Sequence, residues 1–566
     1  MRHNRQFGLQ LPDIMTDIPL RPRHNLRTHD VTNQPPPLVD YNAFTADTAL
    51  VEAIHREGGE WGQDRLRTYG AIAGTELIEI GFEANENPPE LKTHDRYGHR
   101  IDEVRFHPAY HRSMALAKEH GLHGLTWTAQ REGAQVVRSG LVYMHNQMEA
   151  GTMCPITMTH AAVPALRHAP ELAEAWLPGI LANSYDPSFT PHAEKTGLTI
   201  GMGMTEKQGG SDVRANTTRA TPRGDGGYTL TGHKWFFSAP MCDAFLVLAQ
   251  EDAGLSCFLL PRWTRDGQRN AIEIQRLKHK LGDHSNASSE VEFFDAEAYR
   301  VGYAGRGVPT IIEMVSQTRL DCMLGSAGLM RQALVQAIHH CRYREAFGAR
   351  LVDQPLMQQV LADMALESEA AMALSMRLAR AFESDDDHEQ LLARIATPVG
   401  KYLICKAAPP LVNEAQECLG GAGYVEESIL PRLFRQSPLN SIWEGSGNVQ
   451  CLDMLRAMAR SPAAVDALRA ELGRASGLHP AYDAHCNALE KTLATVADQP
   501  AQARRVAEGV ARALQASILL TGESAWVGKA FCEARLGGDR GMAYGTVAAE
   551  LDCAALIERA GIPLDG

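Results

Sequence analysis

No run of about twenty apolar residues occurs in the chain, and its most apolar stretches, such as ASILL at 516–520, are too short to cross a bilayer. The opening MRHNRQFGLQLPD is positively charged but has no apolar region or small-residue cleavage site behind it, so no secretory leader is expected and the cytoplasm is the expected location. Eleven cysteines, an odd number, are scattered from Cys154 to Cys553 without a CxxC pair. That argues against a disulfide framework or a zinc ribbon and predicts reduced, buried thiols. HExxH is missing and the His339–His340 pair has no third ligand nearby, so no metal site is expected. GxSxG and the P-loop are absent, and no GxGxxG opens a strand–helix–strand unit, which disfavours a serine hydrolase, a nucleotide triphosphatase and a Rossmann fold. Positive charge is not in excess either: the net charge is −13, so nucleic acid is repelled at long range unless basic residues are segregated into a patch.

What remains is an ordinary globular composition, 44% apolar and 22% charged, in 566 residues. A single core stops growing near ~250–300 residues, so several domains are required. Residues 1–46, with PLRPR and QPPP, read as an extended arm laid on another surface. From 47 to 195 apolar residues recur at three- and four-residue spacing, as in TALVEAIHREGGEW, which predicts a helical domain interrupted by the polar ANENPPELKTHDRYGHRID. Between 196 and 306 short aromatic and β-branched runs (YTLTGHKWFFS, DAFLVLAQ, LSCFLLP, SSEVEFF) alternate with turn residues and predict a compact β domain. Helical periodicity returns over 307–460, and residues 461–566 add further helices rich in Ala and Arg.

Four segments carry chemistry. GMGMTEKQGGSDV at 201–213 offers glycines for close backbone approach and the hydroxyls of Thr205 and Ser211; read alone it is a surface turn. TGHKWFFSAP at 231–240 offers a flat aromatic wall next to Ser238, or simply strand core packing. CLGGAGYVEE at 418–427 provides a glycine pair but no dinucleotide fingerprint. In NSIWEGSGNVQ, Glu444 precedes a strong helix pattern. The helix's positive end favours its charge while Ile442 and Trp443 would desolvate it, opposed effects that can poise a general base. An acidic residue stabilising a helix start is the structural alternative.

Taken together and in this order, the segments resemble the acyl-CoA dehydrogenase superfamily from about residue 50 to 460, with YREAFGARL at 343–351 as a further match. The resemblance implies an α+β architecture: N-terminal helical domain, central β-barrel or sandwich, C-terminal helical bundle and an extra C-terminal helical region. It implies FAD held by Met204, Thr205, Gly210, Ser211, Trp235, Phe236, Phe237 and Ser238, and by Ser446 and Asn448 after the base, with Phe237 standing where Thr or Ser is usual. By the same resemblance Arg344, Phe347, Gly420 and Gly421 reach a neighbouring subunit's cofactor, Arg456 matches a later helical Arg, and Arg319 binds substrate. Pro355 and Glu417 depart from the family's usual Gln. The family places its base at either of two positions. Thr318 occupies one where isovaleryl-type enzymes have Glu, so Glu444 is the matching base, taking the α-proton of an acyl-CoA while hydride passes from the β-carbon to flavin.

The arm NQPPPLVDYN, NPPELKTHDRYGHRIDEV, EAGTMCPITMTHAA, SNASSEVEFF and the extra helical region are similar to the AidB branch, flavoproteins associated with the response to DNA alkylation. That branch implies a homotetramer with flavin sites at subunit interfaces, weak activity on short or branched acyl-CoA, and double-stranded DNA bound through the C-terminal part, where Arg504, Arg505 and Arg512 share one helical face by spacing. Two alternatives to an acyl-CoA substrate stay open: a DNA-protective protein with vestigial dehydrogenase activity, and an oxidase of another small carbon acid.

Overall fold

The computed structural model describes residues 28–496, 499–538, 540–547 and 550–563, so the first 27 residues of the expected arm lie outside the described residues. Its remainder runs without helix or strand from residue 28 to 47. The Asp40 and Ala43 N–H groups donate to the carbonyls of Gly74 and Gly70, one helical turn apart. A side chain on Gly74 would collide with the Tyr41 carbonyl, so the two glycines are what let the arm lie flat on that helix. Further upstream, Asn33 brackets the backbone of Glu345, accepting from its N–H at 2.7 Å and donating to its carbonyl at 2.8 Å, and the Arg344 guanidinium donates to the Asn33 carbonyl.

The N-terminal helices include Thr48–Arg56, Gln63–Ile72, Pro108–Glu119, Ala134–Met148, Met153–Leu166 and Pro170–Leu181. Ala134–Met148 is buried along its whole length although it carries Arg138, His145 and Gln147. Arg138 is tolerated there because both of its terminal nitrogens meet the Asp321 carboxylate at 2.8 and 2.6 Å. The polar interruption is a hairpin, β1 (Glu90–His94) and β2 (Arg100–Arg105), turned by Asp95, whose carboxylate accepts the Tyr97 and His99 N–H groups.

Seven strands follow: β3 (Ile200–Gly203), β4 (Arg219–Pro222), β5 (Tyr228–Ser238), β6 (Ala244–Glu251), β7 (Gly254–Pro261), β8 (Ile272–Leu277) and β9 (Ser288–Val301). The hydrogen-bonded order β6-β4-β5-β9-β7 closes through a β6–β7 pairing, so the sheet is a barrel with β3 and β8 attached. Closure removes sheet edges that would otherwise be open to association. Phe237, Phe245, Phe258 and Phe293 fill the interior.

Helices Gly307–Tyr343, Pro355–Glu383, Asp387–Leu419 and Gly447–Arg460 form the C-terminal bundle, the first 37 residues long and thus about 55 Å from end to end. Between the first two, the two-residue strands Glu345–Ala346 and Ala349–Arg350 make a hairpin with Phe347 and Gly348 at its tip. The extra region, with helices Pro462–Gly473, Pro480–Leu493, Ala503–Leu520, Ala525–Leu536 and Cys553–Ala560, is riveted to this bundle by buried ion pairs. Arg377 bridges Glu389 and Glu471, Arg535 meets Asp363 and Glu367, and Arg559 joins Glu52 to Glu369. No helix among the described residues is long and apolar enough to cross a membrane.

Candidate active site

Two segments far apart in sequence are tied at the barrel rim. The Trp235 N–H donates to the Thr205 carbonyl at 2.8 Å, and the Lys207 N–H donates to His233 at 3.0 Å. Beneath them lies a fully buried ion pair, Lys234 Nζ to Glu206 Oε1 at 2.8 Å. The other Glu206 oxygen accepts the N–H and hydroxyl of Thr217. Burial alone would raise the Glu206 pKa, but the Lys234 ammonium and these hydrogen bonds outweigh it and hold the carboxyl at about 2. The glycine-rich loop is therefore anchored by its one charged residue that faces inward, a role the sequence does not announce.

The aromatic wall is made by an irregularity. Lys234 pairs with Val291 and Phe237 with Ser289, so two residues of β5, Trp235 and Phe236, stand opposite the single Glu290 of β9. Such a bulge re-aims side chains. Lys234 and Phe237 point into the barrel, whereas Trp235 and Phe236 both turn outward, Phe236 being 51% exposed. Phe237 is thus not part of the wall expected from the sequence: it is fully buried against Phe245 and Phe293. Ser238, beyond it, is half-buried with its hydroxyl 3.4 Å from that of Ser288. The Lys278 ammonium lies 3.3 Å from the centre of the Trp235 ring. A cavity of about 380 Å³ opens beside Lys278, lined also by Phe82, Lys280, Asn286 and Arg432, but Glu444 does not line it.

Glu444 sits in a turn between the short Leu439–Ser441 helix and Gly447–Arg460, and it has a left-handed backbone, φ 58°, followed by Gly445 at φ 96°. A glutamate pays for that conformation, typically ~1–3 kcal/mol, so the surroundings must impose it. They do so through three donors. Lys401, 1% exposed, donates to the Trp443 and Gly445 carbonyls, both at 2.6 Å. Gln450 donates to the Glu444 and Gly445 carbonyls, and Arg319 Nε to the Glu444 carbonyl at 3.1 Å. Arg319 is itself held by Asp453 at 2.6 Å, which also pairs with Arg394. Arg319, expected from the resemblance to bind substrate, is 8% exposed here, with its guanidinium on the Glu444 carbonyl and Asp453.

The Glu444 carboxylate is half-buried and accepts one side-chain hydrogen bond, from the Thr318 hydroxyl at 2.7 Å. Burial raises its pKa; Thr318, Lys401 and Arg319 pull the other way without cancelling it. Ile442, expected to desolvate the carboxylate, points outward at 63% exposed. The burial comes instead from the helices that carry Thr318 and Lys401. Trp443 and Met204 both pack against the large apolar cluster formed by the barrel and the helices beside it.

Other expected site residues lie elsewhere. Phe347 is fully exposed at a hairpin tip with φ 54°, and Gly420 and Gly421 are exposed where an added side chain would meet nothing within 4 Å. From Thr318 to Tyr343 and from Lys401 to Leu419 the helices run about 37 and 27 Å, so these groups stand at the far end of the bundle from Glu444. Ser446 occupies the N-cap position of the Gly447 helix without a side-chain capping hydrogen bond among the described residues, and the Asn448 side-chain oxygen accepts from Arg504 at 2.8 Å. Arg512 turns away from Arg504 and Arg505 to pair with buried Glu367 at 2.8 Å, so the three arginines do not form one exposed patch.

Comparison with known proteins shows the family. Residues 33–187 match the family described as adaptive response protein AidB N-terminal domain, 201–296 the acyl-CoA dehydrogenase middle domain, and 305–459 the acyl-CoA dehydrogenase C-terminal domain. AidB of Escherichia coli (strain K12) is 49% identical over 477 residues, 84% of this chain and 88% of that protein. The chain belongs to the acyl-CoA dehydrogenase family, in its AidB-like branch. Among solved structures, Caenorhabditis elegans ACDH-11, a complex with C11-CoA, superposes with a TM-score of 0.82 at 27% identity, covering 91% of this chain and 95% of that one. The apo-form of Bd2924 gives 0.80 at 29% identity, covering 87% and 99%. FAD is the family's cofactor, and the residues here fit it: an outward Phe236 as a flat support, the Ser238 hydroxyl, and an open glycine-rich loop. The helical–β–helical order expected from the sequence is the fold observed.

Proposed function

We propose that this acyl-CoA dehydrogenase acts on a short or branched acyl-CoA with Glu444 as its base. The observation that supports the reading is the Glu444 turn: a carboxylate whose proton affinity is raised by burial, fixed in a left-handed conformation by Lys401, Gln450 and Arg319. Glu444 takes the α-hydrogen as a proton, the α-carbon electron pair forms the new C=C bond, and the β-hydrogen leaves with its electron pair. FAD, when bound, accepts that hydride. Anaerobic mixing of the yellow protein with butyryl-, isobutyryl- and isovaleryl-CoA should bleach the flavin absorbance within seconds. Absence of bleaching with all three would remove the acyl-CoA reading.

Homotetramerisation belongs to the same proposal. Phe347, Gly420 and Gly421 are too far along the bundle to serve the Glu444 site of their own chain and are exposed, as residues completing a neighbour's flavin site would be. A role in the DNA alkylation response, with double-stranded DNA as partner, is supported by the exposed Arg504 and Arg505, without Arg512. Binding through phosphates predicts that affinity for a DNA duplex falls roughly as the first to second power of salt concentration for two contacts, measured by anisotropy between low and moderate salt. A flat salt response would remove the DNA reading.

A further inference from the structure

The backbone around Glu444 accepts from several donors, but its carboxylate accepts from one side chain among the described residues, and that donor has two places to send its hydrogen. Thr318 Oγ1 lies 2.7 Å from Glu444 Oε2 and 3.0 Å from the Val315 carbonyl. A hydroxyl carries a single hydrogen and can accept as well as donate. When Glu444 is ionised it can only accept, so the Thr318 hydrogen points at the carboxylate. When Glu444 is protonated it can donate to Thr318, whose hydrogen then swings to Val315. Both states are satisfied with every oxygen where it stands.

We infer that Thr318 is a positioning residue for the base, switching its hydrogen between Glu444 and the Val315 carbonyl so that the same pair of oxygens serves the carboxylate before and after proton abstraction. The inference rests on Glu444 being the base. Thr318 suits the role because its branched side chain, anchored on the carbonyl one turn back, is stiff, and because it is 3% exposed, so solvent does not replace it from outside. The other ionisable groups facing Glu444 are Arg319 and Cys322 on the Thr318 helix and Lys401 on the Asp387–Leu419 helix. Asp453 acts on Glu444 only through Arg319. Burial pushes the Cys322 thiol well up, away from the range in which a carboxyl titrates. Glu444 is therefore the group whose titration shapes the acid side of the rate.

The test is the pH profile of flavin reduction by a short-chain acyl-CoA, with flavin content reporting that each variant is folded. Thr318→Val removes the hydrogen bond at constant shape and should move the acid limb upward by about one to two pH units, with a loss of roughly 10- to 100-fold below it. Thr318→Ser should return the limb towards the wild-type position. Thr318→Ala serves in place of the Val variant should the latter not take up flavin. A wild-type acid limb in Thr318→Val or Thr318→Ala, alongside a dead Glu444→Gln enzyme, overturns the switch and leaves the base in place. Undiminished bleaching by Glu444→Gln overturns the base assignment itself, and the switch with it.

Discussion

Replacing Glu444 by Gln is expected to cut acyl-CoA-dependent flavin bleaching by at least about 10²–10⁴-fold while the protein stays yellow. The amide keeps the volume, the left-handed turn and an oxygen for Thr318, so the bonds from Lys401, Gln450 and Arg319 to the backbone are untouched. What is lost is the ability to take a proton. The wild-type rate should also fall on acidification from a pH above the usual carboxyl range, because burial raises the Glu444 pKa and only the ionised form is a base. Single-turnover absorbance traces at several pH values check both points.

Lys234→Met is expected to have the largest effect on stability, about 3–5 kcal/mol, with loss of flavin on purification. It strands the fully buried Glu206 carboxylate, which also organises Thr217 and Thr218 at the end of the glycine-rich loop. The double variant with Glu206→Gln should recover part of the loss, because the uncompensated charge is gone. In the wild type the pair gives a pH signature of definite sign. The Glu206 pKa is depressed to about 2, so its contribution is complete above the ordinary carboxyl range and is lost as pH falls towards 2. Urea unfolding with and without the substitutions, at pH 7 and in mild acid, measures each term.

The sequence order of helices, β runs and helices is enough to read the architecture, because periodicities of 3.6 and 2 survive in long segments. Glu444 is legible for a local reason: it stands beside a helix start in a stretch with a distinct motif. Lys401 is not, since nothing around it in a helix of ordinary pattern marks it as the donor to two carbonyls of a turn 42 residues away in sequence. Phe237 leaves the aromatic wall because the bulge at Trp235 and Phe236, set by pairing with a distant strand, turns it into the barrel. Arg512 follows the same logic on a helix: spacing puts it near Arg504 and Arg505, but a buried Glu367 on another helix claims it. In each case the deciding partner is distant along the chain.

The hairpin that presents Phe347 has two residues in each strand, too few to hold its own shape. Its braces are Asn33, 312 residues earlier, on the Glu345 backbone, and Gln354, just downstream, on the Ala346 carbonyl. The Asn33 part of that support joins segments far apart in the sequence, so it can form only after the hairpin itself has been synthesised.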